Sequence, residues 1–472
     1  MIGLIAGPVA FLILFLMVPV PAGLSTTAWS VGCVAVLMAV WWFSQAIPLA
    51  ATALLPPVLF PFLGVSTIGD AISPFAHPLI FLFLGGFVVA LTVERWNLHR
   101  RLALAVIAFV GRGTNRITAG FMLATAGLSM WVSNTATTLM MLPIALSVID
   151  LTTNSGGSAA DKDRFARGLL IAVAYAASIG GIATLIGTPP NAVLAAYMSS
   201  AQGVHIGFAG WMMIGTPVAA VLLVVAWGLI CRVFFPVGYI AVFTIKDALA
   251  EQSAGLGPMR GGERLSALLL SGLALMWLAQ PVLSGYMPIT DTGIALGAAI
   301  LAFCIPVNLK ERVFLMDWKH ARKLPWEILL LFGGGLSLAA AITTSGLSLW
   351  IGEGFAGLGG DSLIAAVLMI VLAIVFLTEL ASNTATAAIF IPVAVTLADG
   401  YGVDALIFGA PAALAASCAF MMPVATPPNA IVFGSGRLNV QNMCGVGLIL
   451  NLIAAGAISV AAVYLLPLMP SV

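Results

Sequence analysis

Apolar residues run in long stretches from one end of the chain to the other, separated by short gaps rich in glycine, proline and polar side chains. Within a stretch the apolar positions are continuous and do not alternate with period two, which is a helix pattern and argues against a transmembrane β-barrel. Stretches near 3–20, 29–48, 49–63, 78–97, 166–200, 212–235, 265–283, 291–308, 325–350, 405–436 and 443–468 read as membrane-crossing helices. The first lacks a basic leader and reads as a span, not a cleaved signal peptide. Two further apolar stretches, 117–150 and 363–398, are left over. The predicted fold is all-α and polytopic, with about eleven transmembrane helices.

Composition agrees. Of 472 residues 61% are hydrophobic and 7% charged, whereas a soluble domain runs near ~25% charged. No Lys or Arg occurs from Met1 to Glu94 or from Leu324 to Gly436. The basic residues cluster: Arg95, Arg100, Arg101, Arg112 and Arg116; Lys162, Arg164 and Arg167; Arg232, Lys246, Arg260 and Arg264; Lys310, Arg312, Lys319, Arg322 and Lys323; and Arg437 alone. Basic loops stay in the cytoplasm. With the N-terminus cytoplasmic, the spans above put every cluster inside and the C-terminus outside, in a multi-pass protein of the inner (plasma) membrane. The outside loops then carry only acidic or neutral residues, among them Asp70, Glu353, Asp361, Asp399 and Asp404. The two leftover stretches must each enter and leave on one side, as re-entrant hairpins, 117–150 from inside and 363–398 from outside. Leu102 to Arg116, basic at both ends, reads as an interfacial helix.

The leftover stretches share a sequence. Ser133-Asn134-Thr135-Ala136-Thr137 recurs as Ser382-Asn383-Thr384-Ala385-Thr386, at an offset of 249 that also carries Pro143 to Pro392 and Gly85-Gly86 to Gly334-Gly335. A second motif, Thr188-Pro189-Pro190-Asn191-Ala192, recurs as Thr426-Pro427-Pro428-Asn429-Ala430 at an offset of 238. The threading places the copies in opposite orientations, the inverted-topology repeat of secondary transporters. The expected organisation is an N-terminal span 1–26, a first repeat 27–240 with hairpin 117–150 and broken helix 166–200, a cytoplasmic linker 241–263, and a second repeat 264–472 with hairpin 363–398 and broken helix 405–436.

Non-helical backbone at membrane depth survives only where it is buried or lines a cavity, so the two hairpin tips and the breaks at Thr188-Pro189 and Thr426-Pro427 should meet at one polar site. Helices beginning just after each Ser-Asn-Thr would aim free N–H groups and a positive dipole end at it, enough to hold an anion without Lys or Arg. Exposed carbonyls and Ser, Asn and Thr oxygens at the same breaks suit a hard alkali cation.

The doubled Ser-Asn-Thr tips and doubled Thr-Pro-Pro-Asn breaks resemble the divalent anion/sodium symporter family, which carries dicarboxylates, citrate or sulfate. The resemblance covers roughly Trp29 to Leu468. It implies a homodimer with a scaffold part and a moving part, working as an elevator-type transporter. It also implies that Ser133, Asn134, Thr135, Ser382, Asn383 and Thr384 contact substrate carboxylates. One sodium site would use Ser129, Ser133, Asn134 and Gly187, the other Thr378, Ala381, Asn383 and Ala425. The expected function is sodium-coupled import of a small dianion, foremost a C4-dicarboxylate such as succinate, malate or fumarate. A sodium-independent dicarboxylate exchanger and a sulfate or citrate carrier are the alternatives. Expected partners are that dianion, sodium and the bilayer.

The remaining chemistry is sparse. Glu379 lies three residues before Ser382, where the first half has Met130. An intramembrane carboxylate is a coupling candidate, and a packed, hydrogen-bonded Glu is the other reading. Glu94, Asp150, Asp291 and Glu327, near span ends, read as solvated anchors. Four histidines far apart and five single cysteines show no metal-ligand or redox spacing. No GxSxG, P-loop or GxGxxG occurs, so an enzyme has no visible machinery and no organic cofactor is expected. A net charge of +1 without a basic tract excludes a nucleic-acid binder.

Overall fold

The computed structural model describes residues 2–110, 113–153, 156–238, 254–355 and 362–468. Arg112, Lys246, Asp361 and most of the 241–263 linker lie outside them, as does the side chain of Glu353. The chain is an all-α polytopic membrane protein. Among the described residues the only strands are Pro306–Asn308 and Val313–Phe314, a short antiparallel pair.

Nine helices in the described residues are long and apolar enough to cross a membrane. Two of them, Asn134–Thr152 and Asn383–Tyr401, form the second halves of the leftover stretches and run slightly past their expected ends at 150 and 398. The runs expected near 3–20, 49–63, 291–308 and 405–436 contain shorter helices. Proline explains the second of these. With Pro48, Pro56, Pro57 and Pro61 in 14 residues, the chain forms Leu49–Thr52 and Leu55–Phe62 in place of one rod. The expected interfacial helix also differs. It runs Leu98–Val110, and Arg116 belongs to the next helix, Thr114–Ser129.

Two element pairs recur in the same order. Thr114–Ser129 and Asn134–Thr153 form a first hairpin, followed by Ala159–Ile182 and Pro189–Ala201, a first broken helix. Leu363–Thr378 and Asn383–Tyr401 form a second hairpin, followed by Leu406–Ala416 and Pro427–Phe433. The first broken helix starts earlier than the expected position 166, because the Ser158 hydroxyl accepts the Asp161 N–H at 3.0 Å and caps it. Lys162, Arg164 and Arg167 therefore sit on its opening turns, Arg167 paired with Asp163 at 2.7 Å. The prolines do not interrupt a helix so much as begin one. Pro189 and Pro427 occupy the first helical position, where a missing N–H leaves nothing unpaired.

The core is an exchange between the two pairs. Pro189–Ala201 packs on the second hairpin's Asn383–Tyr401 and on Leu406–Ala416, while Pro427–Phe433 packs on Ala159–Ile182 and on the first hairpin's Asn134–Thr153. Each broken helix thus finishes against the other pair's hairpin. Beyond its opening turns, over residues 165–182, the central helix Ala159–Ile182 is almost entirely enclosed.

Candidate functional site

Each hairpin turns through a few residues before its second helix starts at the asparagine of the motif. Ser133 and Ser382 stand just before these helices and Asn134-Thr135 and Asn383-Thr384 in their first turns, a shift from the expected start after the threonine. At the first tip Ser133 caps the helix, its Oγ accepting the Ala136 N–H at 3.3 Å, whereas the Ser382 side chain makes no cap bond. The Ser133 carbonyl accepts the Thr137 N–H, and the Ser382 carbonyl the Thr386 N–H, both at 2.9 Å.

The tips and breaks meet around one cavity of about 600 Å³. Ser133, Asn134, Thr135, Gly187, Thr188 and Pro189 line it from one pair, and Ala381, Ser382, Asn383, Thr384, Ala425, Thr426 and Pro427 from the other. Ser129, Thr378 and Glu379 do not line it; they are buried behind the tips.

Behind the first tip, one arm of the Asn134 carboxamide lies 2.6 Å from Ser129 Oγ, 3.1 Å from the Ala177 carbonyl oxygen and 3.2 Å from that of Gly187. Ser129 Oγ is itself 2.7 Å from the Ala177 oxygen. If that arm is the amide nitrogen, it donates to all three. If it is the oxygen, four oxygens converge with only the Ser129 hydroxyl proton between them, an arrangement that a bound cation favours. Behind the second tip the pattern repeats. Thr378 Oγ1 lies 2.8 Å from Asn383 Oδ1 and 2.9 Å from the Ala416 carbonyl oxygen. The close approach needs glycine: a methyl group at Gly181 would lie 2.5 Å from the Asn134 carboxamide, and one at Gly187 2.5 Å from the Gly181 oxygen.

The asparagines of the other motif hold the breaks together. Asn191 Nδ2 donates to the carbonyls of Gly181, Ile182 and Thr184 at 3.2, 3.2 and 2.7 Å. Asn429 Nδ2 donates to Ala419 and Met422 at 3.2 and 3.0 Å. The breaks are unequal, however. The first helix of the second pair stops at Ala416, one turn earlier than the 238-residue offset from Ile182 would place it. That extra unwound turn frees backbone groups that something must satisfy. Glu379 does so. Its two carboxylate oxygens accept the Met421 and Met422 N–H groups at 2.8 Å each, and Oε1 also accepts from Asn451 Nδ2 at 2.7 Å. Tyr175 Oη donates to the freed Phe420 carbonyl. In the first pair the corresponding clasp is a hydroxyl: Thr184 Oγ1 donates to the Met130 carbonyl.

The rest of the cavity's lining went unread in the sequence. It comes from Phe43, Ser44, Gln45 and Leu49, from Phe87, and from Glu327, Ile328 and Leu331. Glu327, expected as a solvated anchor, is indeed exposed but faces the cavity. These residues belong to no repeated motif, so spacing gave no signal for them. Leu380 and Val424 add an apolar edge. Among the described residues no Lys, Arg or His lines the cavity, and no cluster of three His, Cys, Asp or Glu side chains is placed to hold a transition metal. A small anion can be met here only by N–H groups, hydroxyls, amides and bound cations.

Comparison with known proteins extends this picture. The sequence model described as the sodium:sulfate symporter transmembrane region matches residues 2–469. A protein of Staphylococcus saprophyticus named sodium-dependent dicarboxylate transporter SdcS is 40% identical over 475 residues, covering 99% of this chain and 91% of that protein. The SdcS of Staphylococcus aureus strain USA300 is 41% identical over 481 residues with the same coverage. Among solved structures, the Alcanivorax borkumensis YdaH transporter is similar in fold, with a TM-score of 0.59 and 16% identity over 93% of this chain and all of that one.

Proposed function

The chain belongs to the sodium:sulfate symporter family and is a multi-pass membrane transporter, not an enzyme, and from that premise we propose that it imports a C4-dicarboxylate such as succinate, malate or fumarate, driven by sodium. The observation that carries this reading is one cavity bounded by both Ser-Asn-Thr tips and both Thr-Pro breaks, without a basic side chain among its described lining residues. The SdcS relatives are named for this activity. Ser133, Asn134 and Thr135 take one carboxylate and Ser382, Asn383 and Thr384 the other.

Charge accounts for the coupling. Each helix end offers roughly half a charge, so two tips leave a dianion about one charge short. Sodium supplies it, bound by Ser129, Ser133, Asn134 and Gly187 on one side and by Thr378, Ala381, Asn383 and Ala425 on the other. The Ala177 and Ala416 carbonyls, close to Ser129 and Thr378, complete the oxygen sets. Sodium binding behind the tips fixes the N–H groups that receive the anion. The two repeats, 27–240 and 264–472, stand inverted in the membrane with re-entrant hairpins. The hairpins and broken helices move as one body against the remainder, in a homodimer whose N-termini face the cytoplasm.

Uptake of labelled succinate, citrate and sulfate into proteoliposomes tests this. Succinate should accumulate under an inward sodium gradient and not under potassium or choline. Succinate uptake that needs internal dicarboxylate and ignores sodium would promote the exchanger. Preferred uptake of sulfate or citrate would move the chain to the other substrate class.

A further inference from the structure

Glu327 is the only charged side chain among the described residues lining the cavity, which both Ser-Asn-Thr tips also line. It is exposed, in the first turn of Trp326–Thr344, and no described residue forms a hydrogen bond or ion pair with its carboxylate. Ser44 and Gln45, which line the same cavity, are polar and neutral. A free carboxylate facing a site for a dianion opposes binding. As an acid in a helix's first turn it gains a little from the dipole, but a helix end pointing at plain solvent would serve that purpose equally.

We propose that Glu327 is a release residue, whose fixed negative charge weakens the anion's hold whenever the cavity is open toward it and so speeds discharge to that face. The proposal rests on the anion site assigned above. It acts through space and involves no contact, so its strength follows the substrate's charge and is screened by salt.

The test measures anion affinity of the purified full-length protein at fixed saturating sodium, for wild type, Glu327→Gln and Glu327→Asp. It is run with succinate, sulfate and citrate, so that it is scored on whichever anion the chain binds. Glu327→Gln should bind a dianion about three- to tenfold more tightly at low ionic strength. The gain should be larger for the citrate trianion, where that binds, and shrink toward none as choline chloride is raised to ~0.5 M, where the screening length falls to a few ångström. Glu327→Asp, which keeps the charge, should match wild type. Unchanged or weaker binding in Glu327→Gln would overturn the proposal. So would a gain that persists at high salt, which would mean a local contact. Wild-type affinity equal in sodium and choline would instead overturn the symport reading and leave the Glu327 comparison standing.

Discussion

A carboxamide can serve a cation with its oxygen and an empty site with its nitrogen, and the surroundings of Asn134 suit both. Asn134→Asp keeps the oxygens but has no donor for the Ala177 and Gly187 carbonyls. It should bind sodium at least as well as wild type, yet melt at lower temperature in choline, as read from thermal unfolding with and without sodium. Asn134→Ala and Asn383→Ala, lacking both functions, should each abolish uptake while expression persists. Glu379 belongs to the same scale with a different logic. Its carboxylate answers N–H groups released by the longer second break, and a glutamine there would set an amide N–H2 donor against a backbone donor. Glu379→Gln should therefore lose about 1–3 kcal/mol of stability, with its pH profile of transport unchanged. A shifted pH or sodium dependence at unchanged stability would restore the coupling role. The sequence marked Glu379 because a carboxylate in an apolar arm is conspicuous, but not its task. Asn451 is 72 residues away, and the unwound turn it helps to hold has no signature of its own.

Among elements, what the sequence made legible was whatever it stated twice. Both hairpin tips and both proline breaks lie where the repeated motifs are. The rest of the cavity's lining, contributed once by Gln45, Phe87 and Glu327, had no second copy to flag it. The repeated glycine pairs occupy an intermediate position, visible as a pattern but silent about purpose. In the structure a methyl group at Gly85 would lie 2.5 Å from the Ala295 backbone and one at Gly334 2.1 Å from the Ala53 oxygen. Their partners face the other way: Gly86 toward Ile186 of the first break at 3.5 Å, Gly335 toward Ala388 of the second hairpin at 3.1 Å. Each pair thus lets one helix sit tightly against a neighbour on one side and present a smooth face to a hairpin or break on the other. If hairpins and broken helices move together, that smooth face is where they slide. Gly335→Leu should then slow succinate uptake severalfold or more without loss of sodium-dependent binding, measured as initial uptake rate against Kd. A rate that keeps pace with binding would place the seam elsewhere.

For the molecule as a whole, orientation and linkage can be read directly. A cysteine at Gly402 should be labelled only from outside and one at Ser158 only from inside, and either label from the opposite face would break the inverted arrangement. With sodium and dianion sharing the tips as proposed, each would tighten the other's binding by the same factor. Succinate affinity measured across sodium concentrations, and sodium affinity across succinate concentrations, should return one coupling constant. The exchange of broken helices between the two pairs carries a consequence in time. Pro427–Phe433 is made long after the first hairpin it packs against. At synthesis rates of roughly 5–20 residues per second the wait is on the order of 15–55 s. Through that interval the half-made protein holds an unfilled groove in the bilayer, open to any membrane chaperone or protease that recognises one. Biogenesis, more than the finished fold, is where this architecture is most exposed.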